Sequence, residues 1–145
     1  TSQMLSAFGE HLLVAEIETA IAAAALVIGR DVADYSVAPE FPARAGELGR
    51  HLFLVEFRGP PPDEGSRARF LATLDRALAQ ANEDYAAHRA GSLAAPVLEV
   101  APEGAFAAWM KARGQLGGQH KVPRIVNDPM LLKGLRATIS AIALS

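Results

Sequence analysis

The stretch Gly49-Arg50-His51-Leu52-Phe53-Leu54-Val55-Glu56-Phe57 contains the strongest strand pattern in the chain. From Leu52 to Phe57 it is almost continuously hydrophobic and aromatic. A strand with one face in water alternates apolar and polar residues, whereas a strand covered on both faces is apolar throughout. The pattern therefore predicts the central strand of a sheet over residues 52–57.

Three elements and a loop are predicted on the N-terminal side of this strand. Residues 4–8 are short and apolar enough for a strand. Residues 14–28 carry apolar side chains at helical spacing, and Gly29 follows where a helix commonly ends in a left-handed glycine. Residues 32–38 alternate in polarity, which indicates a half-buried strand. Residues 39–49 hold two prolines and two glycines and predict a loop.

The clearest helix is predicted on the C-terminal side. The glycine and prolines of residues 59–62 predict a turn, after which Asp63 or Ser66 is available as an N-cap. An apolar stripe at helical spacing then continues to Tyr85. We therefore predict one long helix that runs to Ala90 and ends at Gly91.

The remaining elements complete a recognisable order. After Pro96 comes a short strand over 97–100, then a third helix, and a last helix opened by Asp128 and Pro129. The first six elements follow the split β-α-β-β-α-β order of ferredoxin-like folds. We predict an α+β fold in one domain spanning 1–145, with a mostly antiparallel four-stranded sheet, two long helices on one face and additional C-terminal helices.

Composition excludes several classes of function. The chain has 145 residues, half of them hydrophobic, and a net charge of −2, which suits one globular domain and not a broad nucleic-acid surface. It has no cysteine, and its four histidines show no metal-binding spacing. The most apolar stretch, residues 20–28, is far below the roughly 20 residues that cross a bilayer. We expect a cytoplasmic protein without a metal, nucleic-acid or membrane site.

One window combines flexible backbone with cations. It is Gly117-Gly118-Gln119-His120-Lys121-Val122-Pro123-Arg124. Glycine lets another group approach the backbone closely, and lysine and arginine bind anions in complementary ways. The window is therefore a candidate site for a phosphate or carboxylate, although a solvated surface loop is the simpler interpretation.

Four motifs between Leu74 and Arg124 carry a family resemblance. They are Asn82-x-x-Tyr85 with Arg89, Pro96-Val97-Leu98-Glu99-Val100, Gly104-x-Phe106, and Gly118-Gln119-His120-Lys121-Val122-Pro123-Arg124. Together with the strand at 49–57, they resemble the C-terminal lobe of the auxin-responsive Gretchen Hagen family of acyl acid amido synthetases. In plant members the last motif typically has Asn and Tyr where this chain has Gly118 and His120. His120 in place of Tyr is a change that we would expect in a bacterial member.

The resemblance implies part of an ATP-dependent ligase of the adenylate-forming superfamily. In that superfamily a large N-terminal domain binds the acyl acid and ATP with Mg, and a small C-terminal domain closes over it as a lid. The chain has no candidate for a Ser/Thr/Gly-rich phosphate loop. We therefore expect an isolated lid that is inactive alone, with the N-terminal adenylation domain of the same polypeptide, an acyl acid and an amine as its partners.

The resemblance also implies roles for particular residues. Lys121 is the candidate catalytic cation, and Arg124 supports it, either on phosphate or on a carboxylate of the same domain. Gly118, Gln119 and His120 are candidates for binding nucleotide or substrate. Plant members often carry an Asp-Lys pair near the inter-domain hinge, where this chain has Glu10-His11, so His11 is a second candidate.

Two readings from other classes stay open at this point. The first is a stand-alone ferredoxin-like module that binds a small molecule or regulates an enzyme, with the Gly-Gly loop holding an anionic effector. The second is a structural interaction domain. The sequence does not name the acyl acid, the acceptor, the oligomeric state, or whether the product is an amide or a thioester. The aromatic residues Tyr85, Phe106 and Trp109 are expected in the core.

Overall fold

The computed structural model describes residues 4–114 and 121–144. Its elements in chain order are β1 (Met4–Leu5), β2 (Leu12–Leu13), α1 (Val14–Ile28), β3 (Val32–Glu40), β4 (Arg50–Phe57), α2 (Glu64–Ala81), α3 (Glu83–Arg89), β5 (Val97–Ala101), α4 (Ala105–Ala112) and α5 (Pro129–Ala143). None of the helices in these ranges is long and apolar enough to cross a membrane. The α+β class and the C-terminal helices are confirmed.

The predicted central strand lies at the centre of the main sheet. The strand order is β3-β4-β5, with β3 antiparallel and β5 parallel to β4. The first predicted strand does not join this sheet as its fourth member, because β1 pairs antiparallel with β2 in a separate two-stranded hairpin. Strand pairing is thus mostly antiparallel, as predicted. Beyond β3, a parallel bridge joins Val37 to Ile125 and extends the sheet edge.

The two faces of β4 are buried in different clusters, which explains its continuous apolar sequence. Phe53, Val55 and Phe57 pack in a cluster with α1, α2 and α3. Leu52 and Leu54 point the other way and pack with α4 and α5. Because successive side chains of a strand alternate between faces, a strand between two helical layers must be apolar at both. The prediction that the two long helices share one face is confirmed.

The helix predicted to run to Ala90 is broken at Asn82, so that prediction is wrong in its extent. Asn82 has φ −143° and ψ 108°, which is extended backbone, and it separates α2 from α3. Its side-chain oxygen accepts a hydrogen bond from the Tyr85 N–H at 2.8 Å, which caps α3. The apolar stripe continues across the break because Tyr85 still faces the core, and helical spacing alone therefore does not reveal the interruption.

One strand boundary differs from the pattern-based one, and one helix is capped by a residue distant in sequence. β3 continues through Pro39 and Glu40, where the sequence predicts a loop. These two residues pair with His51 and Arg50 of β4. α4 begins at Ala105, where Glu56 of β4 accepts hydrogen bonds from the N–H groups of Gly104 and Phe106, both at 3.1 Å. A long-range carboxylate thus caps this helix in place of a local side chain. The caps predicted at Gly29, Asp63 and Asp128 are all observed.

Candidate functional site

The chain segment after Lys121 is fastened to the free edge of β3. The Val37 N–H donates to the carbonyl of Arg124 at 2.7 Å, and the Val126 N–H donates to the carbonyl of Val37 at 2.8 Å. The buried hydroxyl of Ser36 donates to the Pro123 carbonyl at 2.7 Å. Three bonds to two adjacent strand residues fix this backbone in position.

Lys121 lies two residues before the first of these anchors. Its side chain is exposed. Within the described part of the chain it has no recorded ion pair or hydrogen bond. Lysine is a compact charge on a long, flexible stem. The arrangement is therefore an exposed cation next to a fixed piece of backbone.

Arg124 is bound to the protein itself. Its guanidinium donates to the Asp34 carboxylate and, at 2.8 Å, to the carbonyl of Tyr35. The group lies over the Tyr35 ring at 4.3 Å from the centroid, and Nε is 3.4 Å from a carboxylate oxygen of Glu18. Two kinds of partner were predicted for Arg124, a phosphate or a carboxylate of the same domain. The contacts observed are with carboxylates of the same domain.

Tyr35 completes this cluster beneath Arg124. The ring is buried, and the hydroxyl donates to Glu18 at 3.3 Å. Burial and the neighbouring Glu18 carboxylate raise the pKa of Tyr35 far above its usual value. The phenol therefore stays protonated at neutral pH and acts as a donor and a stacking surface, not as a base. The sequence pattern indicates Arg124 but not these partners, because their pairing depends on β3 lying beside residue 124.

A cleft opens next to the cluster, between α1 and the first half of β3. It has a volume of about 510 Å³ and is lined by 13 residues, among them Arg30, Asp31 and Arg124. Most of its lining is apolar and comes from the C-terminal half of α1 and the start of β3. The Lys121 segment therefore adjoins a concave surface through Arg124.

His11, the second candidate, lies away from the Lys121 segment, and hydrogen bonds to its backbone hold it in place. The His11 N–H donates to the Asp84 carboxylate at 2.7 Å, and its ring Nδ1 lies 3.2 Å from the same oxygen. The Asn82 side-chain amide donates to the His11 carbonyl at 2.6 Å. The ring itself is exposed. No recorded contact links His11 with Lys121 among the residues the structure describes.

Glu10 and His51 form a buried pair that the sequence analysis missed. Both side chains are nearly inaccessible, at 0% and 1% exposure, and the Glu10 carboxylate contacts Nε2 of His51. The carboxylate also accepts the Phe8 N–H at 2.8 Å. Burial acts to raise the pKa of Glu10, but the hydrogen bonds from His51 and Phe8 outweigh it and lower that pKa. A histidine directly before the apolar run of residues 52–57 was the available signal.

The Asn82-x-x-Tyr85 motif with Arg89 has a structural explanation. Besides capping α3, Asn82 fixes the chain entering α1. The Tyr85 hydroxyl donates to Asp75 at 2.7 Å, and Arg89 binds both oxygens of the same carboxylate at 2.9 Å. These contacts join α2 to α3 across the break. The motif therefore stabilises the bend and brings no reactive group to the surface.

Three predicted binding residues, Gly118, Gln119 and His120, lie outside the described residues. The structure thus places Lys121 and Arg124 on one segment at the β3 edge, and His11 directly before β2. No group of three or more His, Asp or Glu side chains able to hold a metal ion occurs in residues 4–114 or 121–144.

The sequence matches the GH3 family C-terminal domain over residues 15–130. The chain belongs to this family. The match includes Lys121, Arg124 and the motif at Asn82, and it confirms the predicted resemblance. No curated protein matches the sequence significantly.

Solved structures of similar fold agree with the family. The AtGH3.15 acyl acid amido synthetase, solved in complex with 2,4-DB, superposes with a TM-score of 0.78 at 19% identity over 94% of this chain. A second structure of a GH3.15 acyl acid amido synthetase has the same TM-score at 20% identity over 92% of this chain. A 2-hydroxyisobutyryl-CoA ligase, solved in the postadenylation state with R3-HIB-AMP, has a TM-score of 0.52 at 14% identity over 95% of this chain.

The chain spans only about a quarter of the length of these relatives: 25% of either synthetase and 24% of the CoA ligase. At identities of this order the likeness establishes the fold of the GH3 C-terminal domain. Activity and substrates belong to the longer relatives.

Proposed function

We propose that this GH3 C-terminal domain is the lid of an ATP-dependent acyl acid amido synthetase. Such an enzyme would activate an acyl acid by adenylation and transfer the acyl group to an amine, such as an amino acid. The observation that carries the proposal is the family match over residues 15–130. It is supported by the exposed side chain of Lys121 on backbone that β3 holds in position.

The chemistry accounts for a cation at this place. In adenylation, a carboxylate oxygen bonds to the α-phosphorus, the bond from that phosphorus to the bridging oxygen of pyrophosphate breaks, and pyrophosphate leaves. Negative charge accumulates between groups that repel each other. A positioned cation stabilises such a state, and a closing lid also excludes water from the activated acyl group.

Lys121 would supply that cation when the lid closes. The hydrogen bonds of Ser36 and Val37 hold the backbone two and three residues beyond it, so its starting position is set by β3. Arg124 would act indirectly, because its guanidinium is occupied by Asp34, Tyr35 and Glu18. We assign Arg124 to positioning the segment and Lys121 to contact with the reacting phosphate.

ATP would be held mainly by an N-terminal adenylation domain of the same polypeptide. Bound ATP would supply the adenylyl group that activates the acid, and Mg would offset its charge. The described residues fit a supporting part of that arrangement, since they present one exposed cation near the β3 edge and no cluster of metal ligands. Gly118, Gln119 and His120 remain proposed contacts to nucleotide or substrate.

Replacing Lys121 in the full-length enzyme tests the proposal. We expect Lys121→Ala to lower kcat for ATP–pyrophosphate exchange by about 10²–10³, the usual loss for one positioned electrostatic donor. KM for the acyl acid should change little, because that acid binds the other domain. Lys133→Ala is the matched control, since Lys133 is an exposed lysine on α5 and should leave exchange unaltered. Lys121→Arg should restore the rate only in part.

His11→Ala, measured in parallel, separates the two candidate positions. We expect a smaller loss than for Lys121→Ala, because the contacts to the His11 backbone survive the change. Normal exchange by Lys121→Ala with loss in His11→Ala would move the catalytic role to His11. Normal exchange by both variants would contradict a catalytic role for the lid. It would then favour the alternative small-molecule-binding or regulatory module.

A further inference from the structure

The cleft between α1 and β3 is not used by the proposed reaction. Its volume of about 510 Å³ lies within the range of roughly 300–1,000 Å³ that is usual for small-molecule sites. Small residues on one side of α1, namely Ala22, Ala25 and Gly29, leave the space open above the strand. Ile21 and Val32 contribute apolar walls.

The basic groups at the rim are already bound to the protein. Arg124 is held by Asp34 and Glu18, as described above. Arg30 donates from one terminal nitrogen to the carbonyl oxygens of Arg58 and Pro60. Both guanidiniums are therefore already partly satisfied by acceptors of the protein itself.

One of the carboxylates that line the cleft is available to pair with a ligand. The lining contains three carboxylates, Glu18, Asp31 and Asp34, against two guanidiniums. Asp31 is exposed, and no hydrogen bond or ion pair of its carboxylate is recorded within the described part of the chain. The cleft thus combines apolar walls with a net negative rim, which favours a cationic ligand over an anionic one.

We propose that this cleft binds small amphipathic amines. The apolar body of the amine lies against Ile21, Ala25 and Val32, and the ammonium group pairs with Asp31. Because Arg124 lines the cleft and also anchors the Lys121 segment, an occupant touches the residue that positions that segment. The proposal concerns this chain alone and does not depend on the proposed ligase activity.

Titration of the ¹⁵N-labelled chain with tryptamine tests it by NMR. We expect saturable shifts confined to the second half of α1 and the first half of β3, with a dissociation constant on the order of 1 mM. Indole-3-propionate and indole-3-ethanol have the same ring with a negative or a neutral end. Tryptamine should bind about three- to tenfold more tightly than the carboxylate, as one partly exposed ion pair allows.

Two variants test the location and the charge. Ala22→Trp should fill the cleft and abolish the shifts. Ala107→Trp, which changes an exposed alanine of α4, is its matched control and should bind normally. Asp31→Asn should remove most of the preference for the amine. Binding that survives Ala22→Trp, a carboxylate that binds as well as the amine, or no saturable shift would each overturn the proposal. Thermal unfolding of each variant checks that it is folded.

Discussion

Two surface segments with candidate functional residues are held in opposite ways. At the turn of residues 6–11, the charge on Glu10 is fully buried and paired with His51, and the backbone of His11 is fixed by Asp84 and Asn82. At residues 121–126 the backbone is fixed to β3, while the charge of Lys121 is left in water.

The comparison distinguishes a charge that stabilises the fold from a charge that is free to bind a ligand. A buried carboxylate that loses its hydrogen-bond partner costs a great deal, because it is then an unpaired charge in an apolar interior. An exposed cation contributes little to stability and stays available to a ligand. The charge of Glu10 at the turn therefore stabilises the fold, whereas the charge of Lys121 at the β3 edge is available to a ligand.

His51→Ala should cause the largest loss of stability. It leaves the Glu10 carboxylate buried without its partner, which typically costs about 3–5 kcal/mol of the free energy of unfolding. Urea unfolding measures the loss, and His11→Ala, at an exposed ring in the same region, should cost less than about 0.5 kcal/mol. Equal effects of the two variants would mean that the buried pair adds nothing to the turn.

Gly49→Ala should release the turn from the sheet. A β-carbon at Gly49 would lie 2.2 Å from the Phe8 ring, so Phe8 would have to move away. We expect a loss of about 1–3 kcal/mol, as for other overpacked sites. Gly91→Ala is the matched control, because a β-carbon there meets nothing within 4 Å. If both changes were equally mild in thermal unfolding, Phe8 would not be a fixed anchor.

Glu10→Gln should reduce the acid sensitivity of the protein. The pKa of Glu10 is lowered from its usual 4.5 in the folded state, so its contribution to stability is full above 4.5 and is lost as the pH falls below it. Asp75 and Asp84 also have lowered pKa values, so the comparison with the variant isolates Glu10. The difference in unfolding free energy between wild type and variant should shrink on acidification; a constant difference would exclude this linkage.

Lys121→Ala should leave stability almost unchanged, within about 0.5 kcal/mol. Its side chain is exposed, and the bonds that hold its segment involve the backbone of residues beyond it. The melting temperature of the isolated domain measures this. A drop as large as that of Gly49→Ala would show that Lys121 has a structural partner, and the contrast between the two segments would disappear.

Much of the fold follows from local patterns in the sequence. The apolar run at 52–57 predicts the central strand. Gly29 predicts where α1 ends, and Asp63 and Asp128 predict where α2 and α5 begin. These features are set by interactions between near neighbours, which is why spacing reveals them. Helical spacing does not reveal the bend at Asn82, because the apolar stripe continues through it and the residue is also fixed by partners as distant as His11 and Glu16.

The candidate site also divides into features set by local sequence and features set by contacts between distant residues. The sequence alone singled out Lys121 and Arg124 as candidates from residue type and motif, and the family match spans both positions. Only the tertiary structure decided which cation stays exposed and which is bound, since that depends on Asp34 and Tyr35 lying across from Arg124. It also decided that Glu10 meets His51, 41 positions away in the chain. Electrostatic pairing acts through space, so residue order along the chain does not determine it.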